Sequence, residues 1–170
     1  TIHRTFKEYL KKMIIKSYEI QKKISNFLKH NLFLLYGEND GLKKDIRESI
    51  KIKINQQDNH TEFLSFYEND IIANEENFFN SIYSGSLFSK KKIITIHNAT
   101  DKIIKQLKDI ISKHPENVLL IIFAGILEKK SKLRYLFETD SKTICIPCYL
   151  DSDKDLEIIA KTEFKKNNII

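Results

Sequence analysis

Six consecutive apolar residues, Val118-Leu119-Leu120-Ile121-Ile122-Phe123, constrain this chain more than any other feature. The run is far shorter than the roughly 18–20 residues a membrane span needs, and it offers no polar position to face water. A strand at the centre of a parallel sheet, covered on both faces, satisfies that pattern. Shorter runs repeat the theme. Leu32–Tyr36 is apolar and stops at Gly37, Glu62–Tyr67 alternates, Lys92–His97 is rich in isoleucine, and Thr143–Ile146 closes the series. Between them the apolar residues fall at helical spacing. Asp40–Lys53 sets Leu42, Ile46 and Ile50 four apart, and Asn74–Ser84 puts Phe78, Phe79 and Ile82 on one side. Gly85 is placed to stop that second helix. Residues 101–113 carry the cleanest stripe, Ile103, Ile104, Leu107, Ile110 and Ile111, and Lys130–Phe137 turns Leu133, Leu136 and Phe137 inward. Two more helices are expected, one capped by Ser17 and carrying Ile20, Ile24, Phe27 and Leu28, the other over Asp153–Lys165. Strand and helix alternate about five times. The alternation predicts an α/β protein, a doubly wound parallel sheet with right-handed crossovers.

The 170 residues leave room for one ordinary domain and a piece of a second. The best boundary is Pro147–Asp153, after the last strand, and the stretch beyond it is too short to be a domain. With 41% hydrophobic residues, wholesale disorder is excluded. Two cysteines cannot build a disulfide scaffold, and no apolar stretch near the N-terminus reads as a secretory signal. A cytoplasmic, reducing environment is the expectation. The formal charge of +6 is local. Residues 1–30 carry eight basic and two acidic side chains, 38–80 carry five and ten, and 81–113 carry seven and two. Lysine outnumbers arginine 26 to 3 and isoleucine reaches 28. Both have A/T-rich codons, so the lysine content is discounted as evidence for nucleic-acid binding.

The first strand, turn and helix stand where a phosphate-binding loop would. The stretch is Gly37-Glu38-Asn39-Asp40-Gly41-Leu42-Lys43-Lys44, against a working pattern of G-x-x-x-x-G-K-[ST]. Gly37 fits the first glycine and Lys43 the lysine. Leu42 replaces the second glycine, and Lys44 replaces the hydroxyl that would hold Mg²⁺. Glu38 and Asp40 put negative charge where a triphosphate would sit. Ile93–Ile96 ends in His97-Asn98 and Val118–Phe123 in Ala124-Gly125, so neither strand ends in the carboxylates that hold Mg²⁺ and activate water. The loop (Gly37, Lys43, Lys44) is expected to be degenerate and to bind no nucleotide.

Other chemistry is thin. Cys145-Ile-Pro-Cys148 is a lone C-x-x-C without the second ligand pair a structural zinc needs. It flanks a strand end, not the helix N-terminus that lowers a redox thiol's pKa, so buried or half-buried thiols are expected. The five histidines are scattered. No catalytic residue, metal site or cofactor is assigned. The segment that stands apart is Gly85-Ser86-Leu87-Phe88-Ser89-Lys90-Lys91-Lys92, two large apolar side chains between a helix stop and a lysine run. Leu87 and Phe88 read either as core packing at the helix base or as an exposed plug for a partner's pocket. Burying both gives about 3–6 kcal/mol, whereas micromolar binding needs about 8. The pair is an anchor, not a whole interface.

In order along the chain, five stretches resemble the δ subunit family of the bacterial DNA polymerase III clamp loader. They are Met13-Ile-Ile-Lys-Ser-Tyr-Glu, Leu34-Leu-Tyr-Gly-Glu-Asn-Asp, Ser86-Leu-Phe with Lys92-Ile-Ile-Thr-Ile-His-Asn-Ala, Leu119–Phe123 with Leu127-Glu-Lys-Lys-Ser-Lys-Leu, and Cys145–Leu150. The resemblance covers about residues 13–170. It implies an AAA+/P-loop-NTPase-like fold that neither binds nor hydrolyses ATP. It also implies a domain I over 13–150 that binds the β sliding clamp, and the start of a helical domain II over 151–170. Residues 1–12 have no counterpart and are set apart as an extension from upstream translation or a frame artefact. The family's clamp-binding leucine–phenylalanine pair maps onto Leu87 and Phe88, led by Ser86. The implied partners are the β sliding clamp, the other loader subunits (γ/τ and δ′) and, through the complex, primed DNA; no membrane is implied. The subunit is non-catalytic but belongs to the DNA-directed DNA polymerase (nucleotidyltransferase) holoenzyme. Two alternatives stay open from the residues alone: an active P-loop ATPase with an unusual loop, and a basic nucleic-acid-binding domain.

Overall fold

Five apolar runs pair into one sheet in the computed structural model, which describes residues 24, 26–56, 60–85, 91–150, 157, 161 and 164. The strands are β1 (Leu32–Tyr36), β2 (Thr61–Tyr67), β3 (Lys91–Ala99), β4 (Val118–Ala124) and β5 (Thr143–Pro147). Their order is β2-β3-β4-β1-β5, and every pairing is parallel. The expected parallel α/β sheet flanked by helices is therefore what forms. β4 is central, between β3 and β1, and all seven of its residues are buried.

The period-2 alternation of strand side chains splits the core into two layers. Leu32, Leu34 and Tyr36 of β1 join Leu120 and Ile122 of β4 on one face, and Phe33, Leu35, Ile121 and Phe123 point to the other. The second face is covered by α1 (Asp40–Asn55), which buries Ile46, Ile50 and Ile54 at intervals of four. Ile24, Phe27 and Leu28 pack beside it. The first face carries α2 (Glu68–Ala73), α3 (Glu75–Tyr83), α4 (Ile104–Lys113) and α5 (Lys132–Thr139), through Ile71, Phe78, Ile82, Leu107, Ile110, Leu133 and Phe137. Ser17 and Ile20 of the expected first helix lie outside the described residues. Of Asp153–Lys165 only Glu157, Lys161 and Phe164 are described, each helical. No helix among the described residues is long and apolar enough to cross a membrane.

Helix starts are set by short polar side chains, as expected for N-caps. Asn39 accepts from the Leu42 amide at 3.0 Å, Asn74 from Asn77 at 3.0 Å, and Ser131 from Arg134 at 3.2 Å. The helix expected from residue 101 opens with a 3₁₀ turn, Asp101–Ile103, before α4 begins. It ends at His114, which takes the left-handed conformation (φ 44°) more often given to glycine. One element escaped the sequence reading. α2 is only six residues long, too short to show a helical period, and it follows β2 without a loop.

Candidate functional site

In an open parallel sheet, ligands bind beyond the carboxyl ends of the strands where the winding changes direction. Here that point is the end of β1, whose neighbours are β4 and β5. A cleft of about 500 Å³ opens there, lined in part by Gly37, Lys43, Lys44, His97, Asn98 and Phe123. The structure thus brings together the three loop residues singled out from sequence. Ser86, Leu87 and Phe88 lie outside the described residues.

Lys43 is the organising side chain. It lies in the first turn of α1 and is 4% exposed. A lysine ammonium has three donors and no acceptor. Lys43 Nζ donates to the carbonyl oxygens of Gly37 at 2.8 Å and Ala124 at 2.9 Å, and it pairs with Asp40 Oδ1 at 2.8 Å. The Lys43 hydrogen bond and charge hold the Asp40 carboxyl below its ordinary range. Lys44, one position on, points to solvent.

The backbone of the turn is equally committed. The amides of Gly37, Asn39, Asp40 and Lys43 donate to the carbonyls of Gly125, Cys148, Glu38 and Asn39 at 2.9, 3.0, 3.0 and 3.2 Å. Gly37 adopts φ +126°, and a β-carbon there would collide with the Cys148 carbonyl. The glycine is required by this close approach of two backbones. The Cys148 amide returns a 2.6 Å bond to the Tyr36 carbonyl, and the Asn39 side-chain amide donates to the Tyr149 carbonyl at 3.4 Å. Tyr149 also meets the Tyr36 ring edge-on at 5.9 Å. The chain leaving β5 is thereby stitched onto the turn that leaves β1. Sequence reasoning missed Ala124, Cys148 and Tyr149, because the groups that act on the turn are mostly backbone carbonyls and carry no residue-type signal.

The opposite wall is shaped by a β-bulge. β3 pairs with β4 in register to Ile96↔Ile122 and resumes at Ala99↔Ala124, one residue longer on β3. Asn98 takes up the extra length at φ 57°. Bulges of this kind re-aim side chains beside sites. His97 lies here 5.1 Å from the Tyr67 ring and 5.4 Å from Phe123, and burial with the nearby Arg47 pushes its pKa down. Acidic groups near the strand ends are engaged in the fold. Glu68 accepts the Thr100 amide at 2.6 Å and its hydroxyl at 2.9 Å. Asp101 accepts the Ser131 hydroxyl and the Lys132 and Leu133 amides at 2.8–3.0 Å, capping α5.

Cys145 and Cys148 are both buried free thiols, and burial pushes them up, Cys148 to about 12 and Cys145 further. Beside the undescribed Ser86–Lys90 segment, the boundaries are well held. α3 ends at Tyr83, and the buried Lys92 ammonium of β3 donates to the Ser81 and Ser84 carbonyls at 2.8 and 2.7 Å. A cation on the last carbonyls suits the negative end of a helix.

The sequence matches the family described as "DNA polymerase III, delta subunit" over residues 33–148. The fold is similar to that of the Bacillus subtilis DNA clamp loader delta protein (YqeN), with a TM-score of 0.63 at 14% identity, covering 86% of this chain and 48% of that one. The chain thus spans about half the length of that protein. No curated protein sequence matches it.

Proposed function

The chain belongs to the DNA polymerase III delta subunit family, and from that premise we propose that it serves a clamp loader as the subunit that grips the β sliding clamp. Leu87 and Phe88, led by Ser86, enter an apolar pocket on the clamp. The observation that carries the reading is the family match over 33–148, which includes this pair between the end of α3 and the start of β3. The Lys92 clasp supports it further, since it holds the end of the helix that precedes the pair in sequence. The structural likeness to a protein named as a clamp loader delta protein agrees with the assignment.

Opening a ring by binding is a matter of differential affinity. A subunit that held the closed and opened clamp equally would shift nothing. The wedge therefore favours a clamp with one interface released. The work of ATP falls to other subunits, γ/τ, with δ′ completing the loader and primed DNA reached through the complex. The cleft beside Gly37 takes no nucleotide and no metal in this reading, and the AAA+-like domain I, over 13–150, acts as a protein-binding unit leading into the start of a helical second domain at 151–170. What supports this is Lys43, whose three donors are already engaged, and the amides of Gly37, Asn39, Asp40, Leu42 and Lys43, which already have partners.

The test is binding of the chain to immobilised β sliding clamp, with Leu87→Ala/Phe88→Ala as the comparison and melting temperature as the control. Loss of binding with folding retained supports the reading, whereas unfolding of the double variant places the pair in the core. In parallel, a magnesium-dependent rise in melting temperature with ATP would favour an active ATPase.

A further inference from the structure

We infer that the clamp contact continues from Leu87 and Phe88 into the groove between α3 and α4, where Gln106 accepts a hydrogen bond from the β sliding clamp. The inference rests on the clamp-binding reading and deepens it.

The pair alone falls short. Burying two large apolar side chains supplies less than micromolar binding requires, so a clamp held at that affinity touches more of this chain. The groove lies where the extra surface is needed. It measures about 720 Å³, and its walls include Glu75, Phe79 and Tyr83 of α3 and Gln106, Asp109 and Lys113 of α4. Tyr83 is the last residue of α3, and only Ser84 and Gly85 separate it from Ser86. One end of the groove is therefore continuous in sequence with the pair. That end is firmly built. The Phe79 and Tyr83 rings stack at 6.1 Å with their planes 9° apart. Lys113 Nζ sits 5.2 Å from the centre of the Tyr83 ring and pairs with Asp109 at 3.0 Å. Tyr83 is still 41% exposed, an apolar body with a polar tip of the kind enriched at interfaces.

The second observation is an unpaired acceptor. Gln106 belongs to the buried stripe of α4 beside Leu107, Ile110 and Ile111, and it is 5% exposed. Its Nε2 donates to Glu75 Oε1 at 2.6 Å. That bond fixes the orientation of the amide, because the reversed amide would set an oxygen against a carboxylate. Oε1 is thereby left without a donor, and no other buried side-chain nitrogen or oxygen among the described residues is in that position. Folded chains pair nearly all such atoms. A polar residue on an apolar stripe, on the wall of an open groove and with its acceptor unpaired, suits a donor that comes from outside the chain.

The test measures binding of the full chain to immobilised β sliding clamp by surface plasmon resonance, with a thermal melt of each preparation. Gln106→Met keeps the length of the side chain and removes the acceptor. Ser112→Trp fills the groove from an exposed position on its rim. Thr139→Trp, exposed on α5 and outside the groove, is the control. Gln106→Met should bind at least about tenfold more weakly, since binding relieves an unpaired buried acceptor only in wild type, with a melting temperature within about 2–4 °C of wild type. Ser112→Trp should lose as much, and Thr139→Trp should stay within about twofold. Wild-type affinity in a folded Gln106→Met or Ser112→Trp overturns the inference, as does an equal loss in Thr139→Trp. Should Gln106→Met fail to fold, Ser112→Trp decides. A wild-type chain that does not bind the clamp, or binding that survives Leu87→Ala/Phe88→Ala, overturns instead the reading beneath it.

Discussion

Lys43, in the first turn of α1, donates a 2.9 Å hydrogen bond to the carbonyl oxygen of Ala124, 81 residues away at the end of β4. The bond joins the central strand to the helix that covers the second face of the sheet, and its sister bond to Gly37 ties in the turn that leads into that helix. Lys43→Met keeps the length of the side chain and removes the ammonium. It leaves two carbonyls without their donor, so stability should fall by about 1.5–3 kcal/mol. Urea unfolding read as a shift in midpoint at constant slope checks this. An unchanged midpoint would mean that the clasp contributes nothing.

Gly37→Ala meets two separate obstacles. Its φ of +126° is open to few residues other than glycine, and its β-carbon would strike the Cys148 carbonyl. The conformational cost is about 1–3 kcal/mol and the steric one about 1–3 more. Gly125, with nothing near its missing β-carbon, is the matched control and should lose far less. Comparing the two unfolding midpoints decides the matter.

For clamp binding, Leu87→Ala/Phe88→Ala should weaken the affinity by at least about 100-fold, as expected for about 3 kcal/mol of lost apolar burial. The melting temperature should move by no more than about 2–4 °C, the shift that about 1 kcal/mol produces in a chain of this length. Equilibrium binding by surface plasmon resonance and a thermal melt of the same preparation give both numbers.

Asp101 contributes an acid-sensitive part of the stability. Burial works to raise its pKa, but the amides of Leu133 and Lys132 and the Ser131 hydroxyl together outweigh it and hold the carboxyl below its ordinary 3.8. A folded-state value below the unfolded one stabilises the protein above 3.8, and that contribution is lost as the pH falls through 3.8 toward the folded value. Asp101→Asn should cost about 0.5–2 kcal/mol near neutrality, in the range of a lost helix cap. It should also flatten the acid side of the stability profile. Urea midpoints between about pH 6 and pH 3 measure both. A variant that keeps the steep acid limb places the sensitive carboxyl elsewhere.

The two thiols should be silent in the folded protein. Both are buried, and Cys148 is pushed up to about 12, so almost no thiolate is present near neutral pH. Ellman's reagent should find two thiols in denaturant and none in buffer over minutes. Rapid native reaction at either would restore a redox or metal role to the C-x-x-C pair.

Much of the fold is legible in the residues themselves. The all-apolar Val118–Phe123 run is indeed the centre of the sheet, and the stripe of Ile103, Leu107 and Ile110 is buried as its spacing requires. Such patterns are local: a strand covered on both faces must be apolar at every position, and a half-covered helix at every third or fourth. The departure of the Gly37 turn from the phosphate-loop pattern is local in the same way, and so is the burial of the Cys145–Cys148 pair at an apolar strand. α2 was hidden because six residues carry too little period to distinguish it from a loop.

What the tertiary structure alone decided is who meets whom across the chain. The bulge that sets Asn98 at φ 57° arises from register between β3 and β4. The stitch of Cys148 and Tyr149 onto Asn39 needs β5 to lie beside β1. The engagement of Lys43 depends on carbonyls that every residue possesses and on strand neighbours far off in sequence. Side-chain periodicity encodes burial within an element, whereas strand order brings distant backbones into contact, and only the folded sheet shows which of their donors are already taken.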